Sequence, residues 1–290
     1  MKIHEGLKDI TQSVAVLPDI VRKQILANIS RLADYEPVIG VMGKTGAGKS
    51  SLCNALFAGD ISPVSDTSAC TREPLRFRIQ VGRHSMMLVD LPGVGESESR
   101  DQEYQMLYKR LLPRMDLILW VIKADDRALS VDEHFFREVI GLHSYKVLFV
   151  VNQVDKLEPS HEWHSLSCTP SSRQKINLSR KLSDIRLLFA PLHPVCAVSA
   201  RTAWGLGRLA ETMMRSLPAR ASSPISSQLH KQLRSESVKS QARDRFGEAA
   251  GEVLDSVASL PFVPESVKSL IRGVRDVVVS AVRTVWDLFF

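Results

Sequence analysis

The sequence contains few cysteines, which argues against a domain stabilised by disulfides and against one stabilised by zinc. Four cysteines occur in 290 residues, and they are too widely spaced to form a CxxC pair. Cysteines of this kind predict neither a disulfide framework nor a zinc ribbon. The segment that contains His161, His164 and Cys168 would supply three zinc ligands without a fourth, in a stretch rich in Ser and Pro. We therefore expect reduced thiols and no zinc site.

The sequence also lacks a long apolar run and blocks of one charge. No stretch of about 18 consecutive apolar residues occurs, so no segment is predicted to cross a bilayer. Glu5 and Asp9 lie where a signal peptide requires an apolar core, so we expect a cytoplasmic protein. The formal net charge is +6, but the positive residues are dispersed. This balance is compatible with RNA, a ribosome or an acidic membrane surface as partner and does not choose among them.

Strand-like and helix-like segments alternate through the middle of the chain. Segments rich in Val, Ile, Leu and Phe predict strands, and amphipathic segments between them predict helices. The predicted strands are 38–42, 75–81, 84–90, 116–123, 146–151 and 194–199, and the predicted helices are 49–58, 99–112, 130–142, 175–190 and 204–217. This order predicts an α/β fold with a mostly parallel, doubly wound sheet. The short Gly82-Arg83 connection predicts a hairpin and hence one antiparallel strand.

Helical segments flank the predicted α/β domain. Residues 1–35 carry apolar residues at helical spacing and are interrupted by Pro18, so two helices and one kinked helix are both compatible with the pattern. Ser, Ala and Pro are frequent at 218–224, which predicts a linker. We therefore expect an N-terminal helical segment, an α/β domain over 36–217, and a linker followed by helices over 218–290.

The C-terminal segment 265–289 is amphipathic, which allows two interpretations. It could lie in a membrane interface, with Trp286 and Phe289 as anchors. Alternatively, it packs against the rest of the protein, on the α/β domain or on the N-terminal helix. The polar face mixes both signs of charge and is not strongly basic, which favours packing.

The motif GKTGAGKS lies between a predicted strand and a predicted helix, as the P-loop pattern GxxxxGK[ST] requires. Its glycines allow successive backbone N–H groups to point at phosphate oxygens, and the helix adds the positive end of its dipole. Lys49 is predicted to place a cation between the β- and γ-phosphates, and the Ser50 hydroxyl is predicted to bind Mg²⁺. The predicted nucleotide-binding residues of this segment are Gly43, Thr45, Gly46, Ala47, Gly48, Lys49, Ser50 and Ser51.

The segment Asn-Gln-Val-Asp after the strand 146–151 predicts that the base is guanine. Asp155 can accept hydrogen bonds from the N1–H and N2–H₂ groups of guanine, whereas adenine would leave this carboxylate unpaired. Asn152 and Gln153 complete the segment, which in isolation would suit helix capping equally well. Ser199 and Ala200 follow the last predicted strand, and their backbone is expected to support the guanine O6.

Two segments between these motifs are predicted to act on the metal and the γ-phosphate. Asp90 begins the sequence DLPG and is expected to hold Mg²⁺ through a water molecule. Gly93 has no side chain, so its N–H can approach the γ-phosphate. Thr71 is the expected hydroxyl ligand that completes the Mg²⁺ shell in the GTP state, and Thr67 is the second candidate.

The motifs GKTGAGKS, Thr71, DLPG, NQVD and Ser199-Ala200 stand in an order that resembles the Era/TrmE-like branch of P-loop GTPases. The chain is similar to the prophage-encoded GTP-binding proteins of the YfjP, YkfA and YeeP type, over residues 37–217. The resemblance implies a Mg²⁺-dependent switch that binds GTP and GDP and hydrolyses GTP to GDP and phosphate. Lys49, Thr71 and Gly93 would act in catalysis. A slowly hydrolysing module that dimerises through its G domain and a dynamin-like membrane GTPase are the alternatives.

Three residues depart from the pattern of the family. Gln153 replaces the usual lysine of the base motif, which affects nucleotide affinity more than the choice of base. Gly46 replaces an asparagine that helps to bind an activating monovalent cation, so potassium activation is not expected. Val94 replaces the water-orienting glutamine, and an aliphatic side chain cannot orient water. We therefore expect slow hydrolysis unless a partner or a homodimer supplies the missing group.

Overall fold

The computed structural model describes residues 8, 10–63, 75–91 and 106–290. The chain forms two compact units. The α/β unit contains Pro37–Leu217 and Gln228–Ser235, and the helical unit contains Met1–Glu36, Pro218–Ser227 and Glu236–Phe290. Both terminal segments therefore contribute to one unit, and residues 228–235 belong to the α/β unit although they follow it in sequence.

A seven-stranded sheet forms the centre of the α/β unit within the described residues. Its strands are β1 (Val38–Met42), β2 (Asp60–Pro63), β3 (Leu75–Val81), β4 (His84–Asp90), β5 (Leu117–Lys123), β6 (Val147–Asn152) and β7 (Cys196–Ala197). Their spatial order is β2-β3-β4-β1-β5-β6-β7. Strand β3 pairs antiparallel with both of its neighbours, and the other pairs are parallel. The prediction of a mostly parallel sheet with one antiparallel strand is confirmed.

Two strands differ from the sequence prediction. Strand β2 was not predicted, because Asp-Ile-Ser-Pro has a single strongly apolar residue and ends in proline, which is tolerated at a sheet edge. Strand β7 covers Cys196–Ala197 and not 194–199. The chain leaves the sheet at Ser199, whose N–H donates to the carbonyl oxygen of Trp204 at 3.0 Å.

The helices are α1 (Asp19–Ala33), α2 (Lys49–Leu56), α3 (Ser130–Phe135), α4 (Ser172–Phe189), α5 (Leu206–Ser216), α6 (Ala219–Gln228), α7 (Glu236–Ala258), α8 (Glu265–Thr284) and α9 (Trp286–Phe289). Helix α4 begins before the predicted residue 175 because Ser171 and Gln174 form a capping box. The helix predicted over 130–142 ends as α-helix at Phe135 and continues as a π turn and a 3₁₀ segment. Of the helix predicted over 99–112, residues 106–111 lie in the described part and are helical.

Strands β5 and β6 lie in the centre of the sheet and are almost completely buried. Continuous apolar runs of this kind are typical of parallel strands covered on both faces. Trp120 of β5 stacks on Phe149 of β6, with ring centroids 5.4 Å apart, and Phe189 of α4 lies 4.6 Å from Phe149. Because parallel strands end at the same edge of the sheet, this core brings the loops that follow β1, β5 and β6 together.

The prediction of a linker at 218–224 is wrong, because most of this segment is helical. Residues 219–228 form α6, and Ser222 and Ser223 are completely buried. The Ser223 hydroxyl donates to the carbonyl oxygen of Ala242 at 2.8 Å and accepts a hydrogen bond from the Trp286 indole at 2.8 Å. Serines that are satisfied in this way can be buried, so a composition typical of a linker forms a packed helix here.

The remaining helices of this unit pack against one another. Residues 10–13 are helical, the chain turns at 14–17, and α1 begins after Pro18, so the interruption separates two helices. Helix α7 contacts both α1 and α8. Trp286 and Phe289 are 4% and 3% exposed, which agrees with the favoured interpretation that this segment packs against the rest of the protein. None of the helices in the described residues has the length and apolar character needed to cross a membrane.

Candidate functional site

The P-loop connects β1 to α2, and its shape depends on glycine. Gly43 and Gly48 have φ angles of +138° and +84°. A Cβ atom at Gly43 would lie 2.1 Å from the carbonyl oxygen of Val121, and one at Gly48 would lie 2.6 Å from Asn152 Nδ2. Gly48 is also the N-cap of α2 and has no side chain to cap the helix. The first N–H groups of α2 can therefore bind an anion.

Lys49 lies in the first turn of α2 and reaches back across the loop. Its Nζ donates a hydrogen bond to the carbonyl oxygen of Gly43 at 2.9 Å, so the ammonium group lies close to the curled backbone. Gly43 and Ala47 are buried, and four of the other predicted binding residues are exposed: Thr45, Gly46, Ser50 and Ser51. A cation, helix N–H groups and exposed hydroxyls are thus collected at one loop, which suits a polyphosphate.

Asn152 joins the P-loop to the loop after β7. Its side chain is 1% exposed, and Nδ2 donates to the carbonyl oxygen of Ala47 at 3.0 Å. Its Oδ1 accepts the Ala200 N–H at 3.1 Å. Gln153 has a φ angle of +63°, and its Nε2 donates to the carbonyl oxygen of Gly46 at 2.7 Å. The glutamine that replaces the usual lysine therefore still contacts the P-loop.

Asp155 is held by Ser199 on the base side of the site. The Ser199 hydroxyl donates to Asp155 Oδ1 at 2.6 Å and accepts the Thr202 N–H at 3.3 Å. Ser199 is completely buried, so this contact fixes the orientation of the carboxylate. A cavity of about 480 Å³ adjoins Asp155 and is also lined by Trp163 and Arg201. This arrangement leaves room for a ligand group beside a carboxylate of fixed orientation.

Asp90 and Ser50 have the chemistry of a Mg²⁺ site. Together with Lys49 and Cys53 they line a cavity of about 170 Å³. Asp90 Oδ1 is buried without a hydrogen-bond partner, and burial raises the pKa of Asp90 more than Lys49 lowers it. Burial also raises the pKa of the Cys53 thiol to about 12, with a further contribution from Asp90. A carboxylate oxygen without a donor, close to a serine hydroxyl, fits the oxygen ligands that Mg²⁺ prefers.

Two predicted catalytic residues cannot be placed. Thr71 and Gly93 lie outside the described residues, as do Thr67 and Val94. In the described part of the chain, no group of three or more His, Cys, Asp or Glu side chains is arranged to hold a metal ion.

The sequence motifs did not identify an ion-pair cluster that supports the P-loop. Lys44 Nζ lies 2.9 Å from Asp126 Oδ2 and 2.9 Å from Asp132 Oδ2. The lysine lies inside the P-loop motif, but neither aspartate belongs to a motif. Their proximity depends on the pairing of β1 with β5, which local sequence does not reveal.

Comparison with known proteins supports the assignment of this site to a nucleotide. A family model described as a 50S ribosome-binding GTPase matches residues 38–153, which include the P-loop, Asp90 and Asn152. The uncharacterized proteins YkfA and YfjP of Escherichia coli K12 are 57% and 55% identical to this chain over 291 residues, and each alignment covers 100% of both chains. This chain belongs to the P-loop GTPase family of the YkfA and YfjP type. The resemblance predicted from the motifs is confirmed.

More distant relatives match a smaller part of this GTPase. GTPase Era of Thermoanaerobacter sp. strain X514 is 29% identical over 118 residues, which are 40% of this chain and 39% of Era. Membership of the GTPase family makes a guanine nucleotide the ligand of the site. The P-loop and the loops that carry Asp155 and Ser199 are the candidate phosphate and base halves of this site.

Proposed function

We propose that this protein is a Mg²⁺-dependent molecular switch of the Era-like type, which hydrolyses GTP to GDP and phosphate. The observation that supports this most strongly is the side chain of Asn152, which hydrogen-bonds Ala47 of the P-loop and Ala200 of the base side. One buried residue thereby holds the phosphate and base halves of the site in a fixed relation. A nucleotide that spans both halves would be oriented for reaction at its terminal phosphate.

Lys49 is the group that we expect to stabilise the negative charge that develops on the β- and γ-phosphates. Ser50 and Asp90 would hold Mg²⁺, with Thr71 as the further ligand in the GTP state. Mg²⁺ bound there would neutralise part of the negative charge of the phosphates. Thr71 and Gly93 would contact the metal and the γ-phosphate and lose those contacts after hydrolysis, which is the basis of switching.

The replacement of Lys49 by alanine tests hydrolysis most directly. We expect multiple-turnover phosphate release to fall by about two orders of magnitude or more, because the charge that stabilises the transition state is lost. Lys175→Ala is the matched control, because Lys175 is an exposed lysine on α4. Undiminished phosphate release by Lys49→Ala would refute the proposal, provided that the control behaves like the unchanged protein.

We further propose that turnover is slow until a partner or a second copy of the chain supplies a group that orients water. Val94 supports this proposal, because an aliphatic side chain cannot position the attacking water. The specific rate of hydrolysis should rise with protein concentration if a homodimer is the active form. A fast rate that does not depend on concentration would exclude both the slow monomer and the dimer.

The location and the partner are also proposals. We propose a cytoplasmic protein, supported by free thiols at Cys53, Cys168 and Cys196. A ribosomal or other RNA partner is compatible with the net charge of +6 and with the description of the matching family model. Co-sedimentation of GTP- and GDP-loaded protein with 50S subunits, and separately with acidic liposomes, would distinguish RNA from a membrane surface. Binding to neither in the GTP state would contradict both partner classes.

A further inference from the structure

The side chain of Lys44 leaves the P-loop and enters a cluster of oxygen atoms. Its ammonium group pairs with Asp126 Oδ2 at 2.9 Å and with Asp132 Oδ2 at 2.9 Å, and it donates to the carbonyl oxygen of Ala128. The contacts with Asp126 and Ala128 are hydrogen bonds, whereas the contact with Asp132 Oδ2 is an ion pair without hydrogen-bond geometry. Lys44 is 29% exposed. The positive charge of Lys44 is therefore compensated by the two aspartates of the protein itself.

Asp132 is fixed in place by the core of the α/β unit. It is 2% exposed, and its Oδ1 accepts a hydrogen bond from Trp120 Nε1 at 3.3 Å. Trp120 is completely buried in the central strand β5. A carboxylate buried to this extent requires a cation, because removal of one partner leaves an uncompensated charge. The Lys44 contact therefore joins the P-loop to a rigid part of the sheet.

Asp126 provides a second attachment point in the loop that follows β5. Its Oδ1 accepts the Ala128 N–H at 3.0 Å, which closes a tight turn, and Lys181 of α4 donates to its backbone carbonyl. Burial alone would raise the pKa of Asp126, but the hydrogen bonds from Lys44 and Ala128 and the charge of Lys44 together lower it. The carboxylate is thus charged at neutral pH and pairs with Lys44.

The contacts on the P-loop come from two sides. Asn152 and Gln153 hold the carbonyl groups of Ala47 and Gly46 from the base side. Lys44 holds the beginning of the loop, next to Gly43, from the side of β5 and α3. Without Lys44, the first half of the phosphate-binding segment would lose its side-chain attachment to the β5 side. The second half would keep both attachments to the base side.

We propose that Lys44 is a positioning residue, which fixes the start of the P-loop against the loop after β5 and so sets the affinity for the β-phosphate of the nucleotide. This inference rests on the proposed nucleotide function of the site. It assigns to Lys44 a role that acts through the P-loop backbone and not through direct contact with the ligand. The expected consequence is selective, because a displaced P-loop weakens phosphate binding while the contacts of the base with Asp155 remain.

Lys44→Met tests the inference by comparing GDP with GMP as ligands of the full-length protein. We expect GDP to bind about tenfold more weakly, since contacts of this kind typically couple by an amount of that order. GMP should bind nearly unchanged, so the ratio of the two dissociation constants falls. Lys181→Met is the matched control, because Lys181 contacts the same Asp126 turn but lies on α4 outside the P-loop. The control should keep the ratio of the unchanged protein.

Two more variants keep the test decisive. Lys44→Arg retains the charge and should restore most of the GDP affinity. If Lys44→Met does not fold, Asp126→Asn removes one carboxylate and leaves the Lys44–Asp132 pair, and we expect a smaller fall in the ratio, about threefold. Equal weakening of GDP and GMP in the variant that folds would overturn the inference, since it would indicate general destabilisation. Failure of the unchanged protein to bind GDP would instead refute the nucleotide function on which the inference rests.

Discussion

The phosphate half and the base half of the proposed nucleotide site are built from different parts of the protein. One continuous segment, Gly43–Ser50, would form the phosphate half, and its backbone N–H groups would bind the phosphates. The base half would be assembled from side chains on the loops after β6 and β7, chiefly Asp155 and Ser199. Backbone N–H groups recognise phosphate in any nucleotide, whereas a side-chain carboxylate recognises one edge of one base.

This difference implies that the affinity for the nucleotide and the choice of its base depend on different parts of the site. A change that distorts the backbone of the P-loop should weaken nucleoside diphosphates and triphosphates whatever their base, because all of them carry a β-phosphate. A change of chemistry at Asp155 should alter which nucleotide is preferred and leave the phosphate half intact. The two halves meet at Asn152, which hydrogen-bonds both loops. Substitutions in each half therefore test whether the site is divided in this way.

The largest effect is expected from Gly43→Ala. A Cβ atom there would lie 2.1 Å from the backbone oxygen of Val121, and the φ angle of +138° is disfavoured for any other residue. A strained backbone costs about 1 to 3 kcal/mol, and the clash with β5 adds to this cost. Calorimetric titration should find GDP binding abolished, together with a lower melting temperature. XDP binding should be abolished equally when Gly43→Ala is combined with Asp155→Asn, because the phosphate half does not depend on the base.

Gly82→Ala is the control for the cost of a positive φ angle without a steric clash. Gly82 has a φ angle of +61° in the β3–β4 turn, and no atom lies within 4 Å of its added Cβ. It should cost about 1 kcal/mol of stability and leave GDP binding unchanged. If Gly43→Ala bound GDP as tightly as Gly82→Ala does, the P-loop would tolerate a displacement that this structure does not allow.

An effect of intermediate size is expected from Asp155→Asn. Guanine presents N1–H and N2–H₂ to this position, and an asparagine amide group would meet them with a donor in place of an acceptor. Xanthine carries an oxygen where guanine has the amino group, so it can accept from the amide. Competition binding should show GDP weakened by at least about a hundredfold and XDP strengthened. Asp184→Asn, at an exposed position of α4, should change neither. Loss of GDP binding without any gain of XDP binding would show that the two halves are not separable.

The same division explains how much of the site the sequence predicts. The phosphate half is contiguous, so the glycines and Lys49 of a single motif predict both its conformation and its ligand. The strands next to it were predicted correctly where the apolar pattern is continuous, as in β1, or where a short turn joins two alternating runs, as in β3 and β4. These features depend on interactions between residues that are close in sequence.

Features that depend on distant residues were missed. Lys44 and Asp126 are 82 residues apart in sequence and meet because β1 pairs with β5. Helix α6 was predicted as a linker because Ser and Pro are frequent there, and the contacts that bury Ser223 come from α7 and Trp286. Local composition cannot report such partners, because the same serine is a good loop residue when exposed and a satisfied core residue when hydrogen-bonded.

The smallest effect is expected from Ser199→Ala, which tests whether the orientation of Asp155 affects the choice of base. Loss of the 2.6 Å hydrogen bond frees Asp155 to rotate but keeps its carboxylate. GDP should bind about five- to tenfold more weakly, which corresponds to the usual net contribution of one hydrogen bond, and XDP should remain excluded. Ser216→Ala is the control, because its hydroxyl hydrogen-bonds Thr212 within α5 and does not contact the base loops. If Ser199→Ala also admitted XDP, the orientation of Asp155 would determine base identity, and the carboxylate alone would not be sufficient.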